Sequence, residues 1–135
     1  MDYVTPKDLF IKSLDRCKEN ENFASSFYDR FLSTSDEIRH LFRNTNFEIQ
    51  EKMLLQSLSL AAEATAGEPE ALEHLSERAR THNRDHLNIE PRHYDIWLST
   101  VITTAKAFDM EWNSDIEKAW LTILGYVIKR MVSKY

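Results

Sequence analysis

Glycine occurs twice and proline three times in 135 residues. Tight turns draw heavily on both, because glycine enters positive φ freely and proline presets φ near −65°. A chain so poor in them has little room for β-hairpins, so mostly helix is expected. Cysteine occurs once, at Cys17, which excludes an internal disulfide. A reducing cytoplasm is the natural expectation. No apolar run nears the ~20 residues that span a bilayer, so no membrane partner is expected. Residues 1–7 show no basic stretch followed by an apolar one, so neither is a secretory leader. Basic excess is missing too: 17 Lys and Arg against 22 Asp and Glu leave a formal net charge of −5. A nucleic-acid backbone calls for a basic face, and none is implied.

What remains is ordinary globular material, 42% hydrophobic and 29% charged, expected to fold as one domain over residues 1–135. Seven stretches carry helical spacing, counting one short one. Thr5-Pro6 reads as an N-cap and first turn, followed by Phe10, Leu14 and Cys17 on one face. Phe23, Ala24, Phe27, Tyr28 and Phe31 form the second stripe. Ser35 can cap a short third helix bearing Ile38, Leu41 and Phe42, and Thr45 or Asn46 can cap the fourth. The fourth turns Gln50, Met53, Leu54, Ser57, Leu58, Ala61 and Ala62 inward, with Gly67 marking its end. Leu72, Leu75, Ala79 and His82 make a fifth stripe, closed by Asn88 and Pro91. The sixth carries Tyr94, Trp97, Leu98, Val101, Ile102, Ala105 and Phe108; the last carries Ile116, Ala119, Trp120, Ile123, Leu124, Val127 and Met131. No stretch alternates with period 2 long enough to be a strand, so the fold class is all-α.

Three polar residues stand where an apolar one is expected. Gln50 lies one turn before Leu54, His82 ends the fifth stripe, and Tyr28 points inward beside Phe27 and Phe31. A polar group in a core must find a partner, at a cost of roughly 1–3 kcal/mol if it does not. Taken singly, each is explained by an ordinary hydrogen bond: a buried tyrosine commonly donates to a carbonyl, and a core histidine or a glutamine near a helix start is unremarkable.

Taken together, the ordered set resembles the bacterial single-domain globin family along nearly the whole chain. Phe27-Tyr28-Asp29-Arg30-Phe31 is similar to that family's second helix, whose tyrosine faces the ligand pocket. Phe42 follows Tyr28 by 14 residues, in Ile38-Arg39-His40-Leu41-Phe42, like the family's haem-stacking phenylalanine. Gln50-Glu51-Lys52-Met53-Leu54 resembles the distal segment, and His82 follows Gln50 by 32 residues, close to the family's distal-to-proximal distance. Ile89-Glu90-Pro91-Arg92-His93-Tyr94, Ala119-Trp120 and Gly125-Tyr126-Val127-Ile128 resemble the next loop and the last helix.

The resemblance implies a globin fold around one haem b, with O2, CO or NO as ligands. His82 is then the iron ligand, with His86, one turn later, as the alternative. His82 is preferred because Leu75 and Ala79 precede it where a haem-facing helix needs apolar contacts, and counting from His86 would put His82 where the family prefers leucine. That choice implies a loop two residues longer than usual before His93. Tyr28 and Gln50 are the distal donors. Phe42, Leu54, Ile89, Tyr94, Leu98 and Leu124 are the apolar walls, although for each taken alone plain core packing is the better explanation. His40, His74 and His93 are read as surface residues or structural hydrogen bonders. Flavohaemoglobins pair a tyrosine like Tyr94 with a glutamate in the last helix; the matching position here is Tyr135, so peroxidase-like tuning is not expected. NO oxidation would need an external reductase. The alternative from a different class is a haem-less globin fold used for signalling or interaction.

Overall fold

The computed structural model of the protein describes residues 4–65, 73 and 90–132. Among them are six helices and no strand: α1 Pro6–Lys18, α2 Phe23–Leu32, α3 Asp36–Leu41, α4 Phe47–Thr65, α5 Pro91–Phe108 and α6 Ser114–Val132. The expected stripe of Leu72, Leu75, Ala79 and His82, with His74, His86, Ile89 and Gly67, lies outside the described residues, as does Tyr135.

The helix starts follow from local chemistry. Thr5 sits in extended backbone, its hydroxyl accepts the Asp8 N–H at 3.1 Å, and the Asp8 carboxylate accepts the Thr5 N–H at 3.3 Å. This reciprocal box satisfies two N–H groups that the first turn leaves unbonded. Ser35 does the first half of the same job for α3, accepting from Ile38 N–H at 3.1 Å. At the start of α4, Asn46 accepts from Ile49 N–H at 3.3 Å, deciding the cap between Thr45 and Asn46. Pro91 opens α5 in the first turn, where its missing N–H costs nothing.

α1 lies mainly on α6 and also touches α4 and α5, while α2 lies on α5 and α4. Phe10, fully buried, meets Trp120 edge-on at 4.7 Å between ring centroids. Such a pair adds about 0.5–1.5 kcal/mol beyond its area burial. Beside it runs a buried polar chain. The Trp120 indole N–H donates to Ser13 Oγ at 2.9 Å, and Ser13 donates to Asp109 Oδ2 at 2.6 Å. Arg16 donates to both oxygens of Asp109, at 2.6 and 3.0 Å. Burial pushes the Asp109 carboxyl up, but bonds from Arg16, Ser13 and the Glu111 N–H outweigh it and hold it below the usual range. Residues 109–113 therefore do more than break the chain between α5 and α6. They carry the acid that ties that corner to α1.

Candidate functional site

Five helices leave a cavity of about 840 Å³, open solvent at its mouth included. α2 contributes Tyr28 and Phe31, α3 Ile38 and Leu41 with Phe42 at its C-cap, and α4 Gln50, Met53, Leu54, Ser57, Leu58 and Ala61. α5 adds His93, Tyr94 and Trp97, and α6 adds Leu124, Val127 and Ile128. The lining is the mixture of aromatic and aliphatic walls with a few polar groups that is usual for a ligand pocket.

The walls are aromatic because of helical spacing. Phe27 and Phe31, one turn apart on α2, stack at 5.4 Å, and Tyr28 packs edge-on against Phe27 at 4.9 Å. Tyr28 also meets Phe47 at 5.5 Å and Phe42 at 6.3 Å, and Phe31 meets Phe42 at 5.6 Å. These contacts fix the tyrosine ring, which is 5% exposed. Its hydroxyl donates to the Gln50 carbonyl at 3.5 Å, the long end of the hydrogen-bonding range.

Of the residues expected at the site, Tyr28, Gln50, Phe42, Leu54, Tyr94 and Leu124 come together around this one cavity. Leu98 packs partly buried against the core and is not in the lining; its neighbour Trp97 is. His82, His86 and Ile89 lie outside the described residues. His40 is exposed and His93 buried, the second as a structural hydrogen bonder.

Sequence reasoning missed the surroundings of His93. Its Nδ1 accepts the Glu90 N–H at 2.9 Å, capping the first turn of α5. Its Nε2 lies 2.9 Å from Glu37 Oε1, on α3. Arg92 donates to both Glu37 oxygens, one bond at 2.7 Å, and through Nε to Glu90 at 2.6 Å. Hydrogen bonds from Arg92, then from His93, hold the Glu37 carboxyl at about 2. Glu37, Glu90 and His93 place three possible metal-ligand atoms within 4.8 Å of one another. Arg92 fills the space between the carboxylates and both imidazole nitrogens are engaged, so the cluster is an ion-pair network. The spacing Glu90-Pro91-x-His93 was the available signal: a helix start with a side-chain acceptor at the third position.

The family model for globins matches residues 25–131. The chain belongs to the globin family. Its fold is also that of a crystal structure from Pseudomonas aeruginosa PAO1, described as highly homologous in structure to a human haemoglobin. The two share a TM-score of 0.91 and 26% identity, over 97% of this chain and 98% of that one. No curated protein sequence matches the chain.

Proposed function

We propose that the chain is a single globin domain over residues 1–135 that holds one haem b and binds O2, CO and NO on its iron. The observation that carries this reading is the cavity: largely apolar, bounded by five helices of a globin fold, and lined by a buried tyrosine. The residues present fit the group. Phe42, Leu54, Tyr94, Trp97 and Leu124 offer flat or branched apolar surface to a macrocycle, with Ile89 and Leu98 as further expected contacts. His82 is the proposed proximal ligand and His86 the alternative. Haem would supply an iron held by an imidazole and able to bind a diatomic gas.

The chain's own residues determine what happens on the distal side. Tyr28 is buried and wedged between Phe27, Phe42 and Phe47, so its phenol cannot swing away. Its hydroxyl, now 3.5 Å from the Gln50 carbonyl, is the donor we assign to a partly negative ligand, in a medium whose low dielectric strengthens the bond. Gln50 lines the same wall and can add its amide. NO oxidation by the same site, resupplied with electrons by an external reductase, is the enzymatic extension of this reading. No helix among the described residues is long and apolar enough to cross a membrane; a cytoplasmic location is proposed on the lone cysteine.

The test is an absorption spectrum of the purified ferrous protein with and without CO, repeated for His82→Ala and His86→Ala. A Soret band that shifts with CO, and is lost or displaced in His82→Ala alone, is expected. Loss in His86→Ala alone moves the ligand by one turn. A protein that takes up no haem leaves the haem-less module.

A further inference from the structure

The network at the start of α5 joins two walls of the cavity that are far apart in sequence. α3 has six residues, too few to hold together alone. Its Ile38 is fully buried, and Leu41 and the C-cap residue Phe42 face the cavity. Its polar ties among the described residues are of two kinds. Arg39 reaches the Leu32 carbonyl and Asp36, and Arg43 reaches the His40 carbonyl, all within seven positions along the chain. Glu37 reaches Arg92 and His93, 55 and 56 positions away.

Both ends of that second tie lead into the cavity. Glu37 and Leu41 are one turn apart on α3, so a shift at Glu37 is passed to Leu41 and the adjoining Phe42. His93 is itself 3% exposed and lines the cavity, followed by Tyr94 and, one turn on, Trp97. Its donor and acceptor roles follow from its partners: Nδ1 accepts the Glu90 N–H, so in the neutral ring the proton sits on Nε2 and is donated to Glu37. One ring thus caps α5 with one nitrogen and holds α3 with the other.

We propose that Glu37, Arg92 and His93 form a latch between α3 and α5 that positions the Phe42 wall and slows the escape of haem. The inference rests on the haem reading above. His93 is a positioning residue in it, acting through Glu37 and α3. Glu37 is 45% and Arg92 58% exposed, and exposed ion pairs contribute little to global stability. The latch therefore governs the cavity wall far more than the fold as a whole, and this separates it from a merely structural contact.

The experiment measures two quantities on each variant: the rate of haem transfer to an excess of apomyoglobin, and the urea midpoint of the haem-free chain. Glu37→Ala should accelerate haem loss at least about fivefold, the low end of coupling between linked sites, with little change in the urea midpoint. Two replacements of His93 divide its roles. His93→Asn puts an oxygen near Nδ1 but reaches no partner on α3, so it should lose haem as Glu37→Ala does. His93→Gln carries a donor out to Glu37 and should keep haem better than the asparagine variant. Haem loss that is unchanged in Glu37→Ala, or that rises only in proportion to lost stability, overturns the latch while leaving the haem reading intact. A wild-type chain that takes up no haem overturns both.

Discussion

Asp109 is the buried charge on which the packing of α1 depends, and removing either partner of its ion pair should reveal different physics. The carboxylate accepts from Ser13, twice from Arg16, and from the Glu111 N–H at 2.9 Å. Breaking a buried pair by deleting one partner costs about 3–5 kcal/mol. In Asp109→Ala the stranded guanidinium keeps 23% exposure and lies 3.7 Å from Glu111, so about 3 kcal/mol, the low end, is expected. At a typical urea slope of about 1–3 kcal/mol per molar, the midpoint should fall by about 1–3 M. Arg16→Ala strands the acid instead, whose side chain is fully buried. With the guanidinium gone, burial, the largest influence on this group, is opposed only by the bonds from Ser13 and the Glu111 N–H, so its pKa moves up from the wild-type position, and burial is expected to win. A group raised in the folded state opposes folding above its unfolded pKa near 3.9, and the cost is relieved as pH falls through the raised value. The Arg16→Ala deficit should therefore shrink between pH 7 and pH 5. The wild-type acid, held below its usual value, contributes stability that is retained over that window and lost only at lower pH. Urea titrations followed by circular dichroism at both pH values test this. An Asp109→Ala loss under about 1 kcal/mol, or an Arg16→Ala deficit that grows on acidification, would refute the reasoning.

Three further outcomes are expected. Tyr28→Phe in the haem-loaded protein should speed O2 dissociation about tenfold, since 1.4 kcal/mol is a factor of ten and a bond to a partly charged ligand is worth at least that much; CO dissociation should change less, and an equal effect on both gases in stopped flow removes the phenol from the mechanism. Gly125 lies inside α6, and among the described residues nothing beyond its own stretch of helix comes within 4 Å of the place a Cβ would take, so Gly125→Ala should raise stability by about 0.5–1 kcal/mol in thermal unfolding. Cys17 is fully buried, and burial pushes its thiol up to about 12. The folded protein should thus resist iodoacetamide at pH 8 and react only when urea opens it, and rapid labelling without denaturant would contradict the packing of α1.

The parts that could be read along the chain are those decided by neighbours in sequence. Thr5, Ser35 and Pro91 start helices through bonds or ring constraints spanning three residues or fewer. The inward faces of α1, α2 and α6 follow from 3.6-residue spacing, and Tyr28 with Phe42 was legible because the family resemblance set their separation. What periodicity cannot state is which face meets which. Asp109 reads as a loop acid; only the fold brings Ser13 and Arg16 to it. Glu37 reads as a first-turn acid complementing a helix dipole, and nothing local points to Arg92. The choice between Leu98 and Trp97 as cavity wall turns on one position of helix rotation, about 100°, which a stripe covering a third of the circumference does not resolve.

The union of α1 with α6 also has a consequence in time. Phe10 and Ser13 find their partners in Trp120, 107 positions after Ser13. Ribosomes add about 5–20 residues per second, so the first helix leaves the exit tunnel roughly 5–20 s before the surface that covers it is made. Until then Phe10, Leu14 and Cys17 stand open to water and to other nascent chains. An amphipathic segment kept waiting that long is a natural client for a chaperone, and the polar knot of Ser13, Arg16 and Asp109 can close only after residue 109 has emerged.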